Sequence, residues 1–246
     1  MSAIRWLSSG GDPDVFPEPH EALREPNGLL AAGGDLRPER LLSAYRRGIF
    51  PWYERGQPIL WWCPDPRAVL FPADLRVSRS LRRTMRRRTF SITADVAFRD
   101  VLDGCAAPRT YGSETWITDE MAIAYRRLHR LGWAHSFEAW QDGALVGGLY
   151  GVAIGRVFFG ESMFARVSDA SKAAFVSAVR YLSARGFELI DCQIASAHLR
   201  RFGATDVPRE RFLRLLEDWC AAPERPATWT RDFEEWAEAA AREAPA

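Results

Sequence analysis

Lysine is nearly missing from this chain of 246 residues: Lys172 is the sole one, and arginine supplies almost all other basic charge. Long apolar runs are missing too. The longest uncharged apolar stretch runs from Gly143 to Gly155 and stops at Arg156, short of the ~20 residues a bilayer-spanning helix needs. The N-terminal MSAIRWLSSGGDPD has no continuous apolar core of the signal-peptide kind, so a cytoplasmic protein is expected. Cysteine is sparse and scattered: Cys63, Cys105, Cys192 and Cys220 form no CxxC pair and have no histidine at ligand spacing. His20, His129, His135 and His198 make neither HxxxH nor HExxH. These gaps argue against a zinc site or a disulfide framework, and no metal is expected.

What is present suits a folded protein. Hydrophobic residues make up 47% and charged residues 26%, enough to build a core in one large or two smaller domains. The net charge of +1 hides segregation: residues 231–246 carry −3, leaving +4 on the remainder. RVSRSLRRTMRRR (76–88) holds seven arginines and no acid. Uncompensated arginines repel one another, so an anionic partner is expected there. RNA fits, because guanidinium groups grip phosphates without reading bases. Lys172 is expected to have a role of its own, since a compact ammonium suits a tight site that a planar fork does not.

Along the chain, the first sixty-odd residues are rich in Pro, Gly and Trp. Within them DLRPERLLSAYRRGIF (35–50) reads as one short helix, with Pro38 and Glu39 in the first turn and Gly48 at the stop. The Pro-rich CPDPR segment marks a boundary, placing a small N-terminal domain at 1–65, a larger one at 66–230 and an acidic Ala/Glu-rich tail at 231–246. After the boundary, the pattern predicts a strand at 67–72, a basic helix from Ser78, a helix over 93–104 capped by Thr93, and a helix within 115–132 capped by Thr118. Strands at 135–141, 144–154 and 156–164 follow, then a helix over 170–185, a strand at 189–193 and a helix over 208–219. This order gives an α+β or mixed three-layer domain with one parallel crossover.

Two acids break the apolar strands. In LIDCQIASAH (189–198), alternation places Asp191 and Gln193 on one face and Ile190, Cys192 and Ile194 on the other. In VFFGESMF (157–164), Glu161 interrupts a second strand. Carboxylates in half-buried strands are costly unless hydrogen-bonded or used, so the pair reads as a site.

The strings GLLAAGGDL, LLSAYRRGIFPWY, WWCPDPR, AHSFEAW, LVGGLYG, FFGESMF, DASKAA and LIDCQ, in this order and spacing, resemble leucyl/phenylalanyl-tRNA–protein transferases from about Phe16 to Phe212. The resemblance implies transfer of leucine or phenylalanine, less readily methionine, from aminoacyl-tRNA to a protein beginning with arginine or lysine. The product is marked for N-degron proteolysis, and no cofactor is involved. It further implies a small N-terminal domain ahead of a domain with the GNAT-like acetyltransferase fold. Asp191 is then the group that receives or orders the amine proton, Gln193 positions the nucleophile, and Glu161 holds the acceptor's cationic group. Trp52 and Trp116 match family positions for stacking the terminal adenosine, with Tyr45 close by.

An apolar pocket for the transferred side chain is expected from Phe158, Met163, Phe175 and Ile190, and Ser162 is placed among the substrate-binding residues. Arg82, Arg83, Arg86 and Arg87 are the expected tRNA contacts, joined by Lys172 at a helix start. One departure is HLRRFGA (198–204), where the family has HLxSLGA; Arg201 and Phe202 there bear on acceptor choice. Two alternatives stay open: a coenzyme A-dependent N-acyltransferase and a non-catalytic tRNA-binding module.

Overall fold

The computed structural model describes residues 4–108, 116–223 and 227–243. Thr115 of the expected 115–132 helix and the last three residues of the acidic segment lie outside this description. Strands β1 (Arg5–Leu7), β2 (Leu29–Gly33), β3 (Phe50–Pro51) and β4 (Leu60–Trp62) form a small sheet in the order β1-β2-β4-β3, accompanied by helix α1 (Pro38–Arg46). Pro38 opens α1, where no amide partner is needed, and Gly48 follows it at φ +70. A side chain at 48 would also collide with Phe212, whose ring lies 2.9 Å from the position of a Cβ.

The rest of the chain builds a seven-stranded sheet. Its elements are β5 (Arg67–Leu70), α2 (Arg79–Arg86), β6 (Ser91–Ala94), α3 (Phe98–Ala106), α4 (Asp119–Arg130), β7 (Ala134–Gln141), β8 (Ala144–Ile154) and β9 (Val157–Ala165). They continue with α5 (Ala170–Ala184), β10 (Leu189–Gln193), α6 (Ala197–Arg201), β11 (Thr205–Val207), α7 (Arg209–Cys220) and α8 (Thr230–Glu243). The sheet order is β11-β5-β10-β9-β8-β7-β6. Every neighbour pair is antiparallel except β9–β10, which is parallel and bridged by α5. This is a mixed sheet flanked by helices, as the strand–helix order implied.

Pleating sorts side chains onto two faces. Leu70, Phe158 and Ile190 face α5 and pack with Phe175 and Val179. Val69, Tyr150, Phe159 and Leu189 face the other way, onto Tyr125 of α4 and Phe212 of α7. That second cluster also takes in Leu41, Tyr45 and Trp61, so the small N-terminal sheet and the large sheet share one core. Ser78 and Thr118 cap α2 and α4 through their side chains, accepting from the amides of Leu81 and Met121. None of the described helices is long and apolar enough to cross a membrane.

Two expectations are corrected. Residues 93–104 are not one helix: Ser91–Ala94 pairs with β7 as an edge strand, and α3 begins only at Phe98. Thr93 caps nothing; its hydroxyl donates to Glu138 Oε2 (2.5 Å) and accepts from Trp140 Nε1 (2.8 Å) on the partner strand. The acidic segment at 231–246, expected as a peripheral helix or a frayed tail, is helical through Glu243 and is not peripheral. It forms most of α8, and Phe233, with Trp229 just ahead of it, is buried among Phe137, Phe158 and Tyr181. Asp232 accepts from the Tyr181 hydroxyl and pairs with Arg185 at 2.8 Å. The apolar stripe of this helix closes the end of the core. Phe233→Ala is therefore expected to cost about 3–5 kcal/mol in urea unfolding, where a true tail residue would change the midpoint little.

Candidate active site

The parallel pair β9–β10 is where the sheet opens. Leu189, Ile190 and Asp191 pair with Val157, Phe158 and Phe159, and the pairing ends there. Each strand then carries an irregularity. Against β8 the register jumps from Tyr150–Ser162 to Gly151–Gly160, leaving Glu161 as an extra residue. Against β5 it shifts between Asp191 and Gln193, and Gln193 turns to φ +59. Bulges of this kind re-aim side chains at sheet openings. Gly151 is required at the first one, because a Cβ there would sit 2.3 Å from the Phe159 carbonyl oxygen.

Asp191 is held by Arg67, and both side chains are fully buried. Arg67 donates from Nε to Oδ1 at 2.8 Å and from Nη2 to Oδ2 at 2.6 Å, a two-pronged contact. Its remaining Nη1 donates to the Gly48 carbonyl at 3.0 Å, and the guanidinium lies between the rings of Phe50 and Phe212. Burial pulls the Arg67 pKa down, but the Asp191 charge and hydrogen bonds more than reverse this and hold it above its usual value. Asp191 Oδ1 also accepts the Gln193 amide at 2.9 Å, which fixes the left-handed turn. Of the two expected roles of Asp191, receiving or ordering the amine proton, the first is thereby corrected, since both of its oxygens are occupied and shielded. Simple alternation is corrected too, since Gln193 reaches Glu161 through a bulge. Cys192 packs toward α5 with Ile190 as expected, while Ile194 lies exposed beyond the strand.

Glu161 is the hub. Its Oε1 accepts from Tyr45 Oη and Gln193 Nε2, each at 2.8 Å, and its Oε2 accepts from Tyr125 Oη at 2.7 Å. The two phenol oxygens are themselves 2.6 Å apart. Two phenolic protons cannot serve three oxygen–oxygen contacts. With Glu161 protonated, its carboxyl donates to one phenol, that phenol to the other, and the second phenol back to the carboxyl, so every contact has a donor. The electrostatics agree: burial, aided by the nearby Asp191 charge, outweighs the stabilising bonds from Tyr125, Tyr45 and Gln193 and pushes the Glu161 pKa up to about 7. Tyr45, expected close to the stacking tryptophans, is wholly buried in this ring.

A cavity of about 310 Å³ opens beside the hub. Its apolar lining includes Leu149, Phe158, Met163, Phe175, Val179 and Ile190, and its polar lining includes Glu161, Asp191 and Gln193. The structure thus gathers Phe158, Met163, Phe175, Ile190 and Ser162 around one space with the three polar residues. Trp52 and Trp116 are not among its lining residues. Trp52 is exposed and meets Trp62 edge-on at 5.5 Å, and Trp116 is half-buried. Their segments are tied together by the contact of Tyr53 Oη with Thr118 Oγ1 at 3.2 Å.

Arg82, Arg83, Arg86 and Arg87 are all exposed, and none joins an ion pair among the described residues. Below α2, a groove of about 270 Å³ is lined by Arg76, Lys172, His198 and Arg201. His198 lines the cavity as well, so groove and cavity adjoin there. Lys172 pairs with Asp169 at 2.7 Å, which partly offsets its charge. Of the two unusual residues in HLRRFGA, Arg201 faces this groove, while Phe202 is buried on Phe175. Sequence reasoning missed Arg67, Tyr125 and Tyr150. Arg67 had no signal beyond its place after a proline pair, and the tyrosines read as ordinary apolar positions.

The model of the leucyl/phenylalanyl-tRNA protein transferase matches residues 69–217, and that of its N-terminal domain matches residues 34–65. Leucyl/phenylalanyl-tRNA–protein transferases from Nitrosospira multiformis and Stutzerimonas stutzeri are 56% and 60% identical, over 94% and 87% of this chain and 99% and 93% of theirs. The chain belongs to the leucyl/phenylalanyl-tRNA–protein transferase family. The Pseudomonas aeruginosa member is 54% identical over 94% of this chain and all of its own length. Among solved structures, a GCN5-related N-acetyltransferase from Kribbella flavida aligns with a TM-score of 0.35 at 13% identity, covering 70% of this chain and 61% of its own. Membership in the transferase family rests on the sequence matches, not on that alignment.

The raised Glu161 pKa has a thermodynamic sign. Between pH 4.5 and about 7 the folded protein keeps a proton that the unfolded chain has released. Stability therefore falls as pH rises through that window and levels off above it. Glu161→Gln should remove this decline, worth about 3 kcal/mol, when urea midpoints near both ends of the window are compared.

Proposed function

We propose that this protein transfers leucine or phenylalanine, less readily methionine, from aminoacyl-tRNA to the N-terminal arginine or lysine of an acceptor protein in the cytoplasm. The carrying observation is the cavity with aromatic and aliphatic walls and the hydrogen-bonded Glu161–Gln193 pair in its lining. The transferred side chain fits the apolar wall, where Met163 can adapt to a branched or a flat group. The exposed arginines of α2 and the groove holding Lys172 and Arg201 suit the phosphates of the acceptor stem, with His198 at the junction. Trp52, outside the cavity, offers a surface on which the terminal base can stack.

An aminoacyl ester is already activated, so the chemistry needs alignment and an amine stripped of its extra proton. A carboxyl whose pKa lies near 7 suits that exchange, and Glu161 has one. Gln193, fixed at φ +59 by Asp191 and in turn by Arg67, places its amide against Glu161 and the incoming nitrogen. In this reading Asp191 is a positioning residue, and the acceptor's cationic group finds its counter-charge at Glu161.

Incubation with labelled Phe-tRNA and an Arg-starting peptide should yield labelled peptide. Label that stays on tRNA, despite tight tRNA binding, would reduce the protein to a binding module. Replacing Arg82, Arg83, Arg86 and Arg87 together with alanine should weaken tRNA binding and lessen its salt dependence by roughly one to four phosphate contacts. An unaltered salt slope would take α2 out of the interface.

A further inference from the structure

Tyr150 sits on β8 at the point where its register against β9 jumps past Glu161. Its ring is wholly buried, edge-on to Tyr125 at 5.3 Å and to Phe98 at 5.9 Å. Its hydroxyl has no hydrogen-bond partner among the described residues. That is unusual, because a buried polar group without a partner is destabilising and most such groups find one. A phenylalanine would fill the same space without that cost. Tyr150 is also among the residues lining the cavity, as Glu161 is.

The proton inventory around the hub says what the hydroxyl could serve. Tyr45 and Tyr125 hold their hydroxyls against Glu161, Gln193 Nε2 gives one of its two protons to Glu161 Oε1, and Asp191, an acceptor only, is held by Arg67 and the Gln193 backbone amide. Tyr150 keeps a proton free to donate. Burial, reinforced by the Glu161 charge, holds its pKa well above the usual phenol value, so it stays a neutral donor. An acyl carbonyl under attack needs such a donor, because negative charge builds on its oxygen.

We infer that the Tyr150 hydroxyl donates to the carbonyl oxygen of the aminoacyl ester and stabilises the tetrahedral oxyanion. This rests on the transfer reaction proposed above. The acceptor nitrogen forms a bond to the ester carbon while the carbonyl π pair moves onto oxygen, where Tyr150 binds it. Collapse of the intermediate restores the C=O bond and breaks the bond to the ribose oxygen. The ribose oxygen leaves with the proton that the amine gives up, so the products are a peptide bond and a tRNA with a free hydroxyl. The tyrosine keeps its own proton throughout.

Tyr150→Phe tests this in the full-length protein. Single-turnover transfer from Phe-tRNA to an Arg-starting peptide should slow by about 100-fold, in line with loss of one oxyanion donor. Affinity for Phe-tRNA should change little, and the melting temperature should hold or rise. A tetrahedral phosphonate analogue of the ester should lose far more affinity than the planar ester does. A transfer rate within about threefold of the parent would overturn the inference, as would be found if a buried water merely fills the site. A marked loss of melting temperature, or failure to fold, would overturn it as well, since the hydroxyl would then be held within the protein. If the unaltered protein itself forms no peptide, it is the transfer reading that fails; if it does and Tyr150→Phe matches it, the oxyanion role alone fails.

Discussion

The buried ion pair between Arg67 and Asp191 is the constraint on which the site depends. Two charges with no exposed surface are tolerated only if every prong is used, and here they are. One guanidinium binds the carboxylate of β10, a carbonyl after α1 and the faces of two rings. The pair therefore clamps the N-terminal sheet's helix to the strand edge where the large sheet opens. Removing one partner would leave the other charge stranded, which typically costs about 3–5 kcal/mol. The clamp also reaches the candidate site, because Asp191 accepts the Gln193 amide at the left-handed turn.

Beyond the clamp, polarity is rationed rather than excluded. The cavity wall is greasy, so each polar group at its end has an outsized effect on its neighbours. Glu161 answers burial by holding its proton to higher pH, and two tyrosines from separate helices close a ring around it. Those tyrosines lie 80 residues apart in sequence, and one belongs to the N-terminal unit. Neither unit could assemble the ring alone, which gives a chemical reason for their shared core.

Charge outside the cavity follows a different logic. Arginines on α2 are exposed and join no ion pair among the described residues, while Asp232 of α8 is tethered to α5 through Tyr181 and Arg185. A near-neutral molecule thus keeps a strongly basic stripe, with Lys172 and Arg201 extending it toward the cavity through His198. Such a stripe attracts a polyanion without needing an overall positive charge.

Local chemistry was readable from residues: Pro38 and Gly48 bound α1, Ser78 and Thr118 capped their helices, and alternation outlined β7, β8 and β9. Acids within apolar strands pointed to Glu161 and Asp191, and ordered short strings pointed to the family, because each of these signals lies within a few neighbouring positions. The same habit of reading neighbours led astray at Thr93, where pairing with β7 overrode a helix-like pattern, and at the acidic stretch whose Phe233 is core. Which carboxylate is shielded and which can exchange a proton could not be read that way. That depends on Arg67 lying 124 positions from Asp191 and on Tyr45 lying 116 from Glu161. Desolvation and hydrogen bonding act through space, and a linear pattern carries no record of which distant side chain will fill that space.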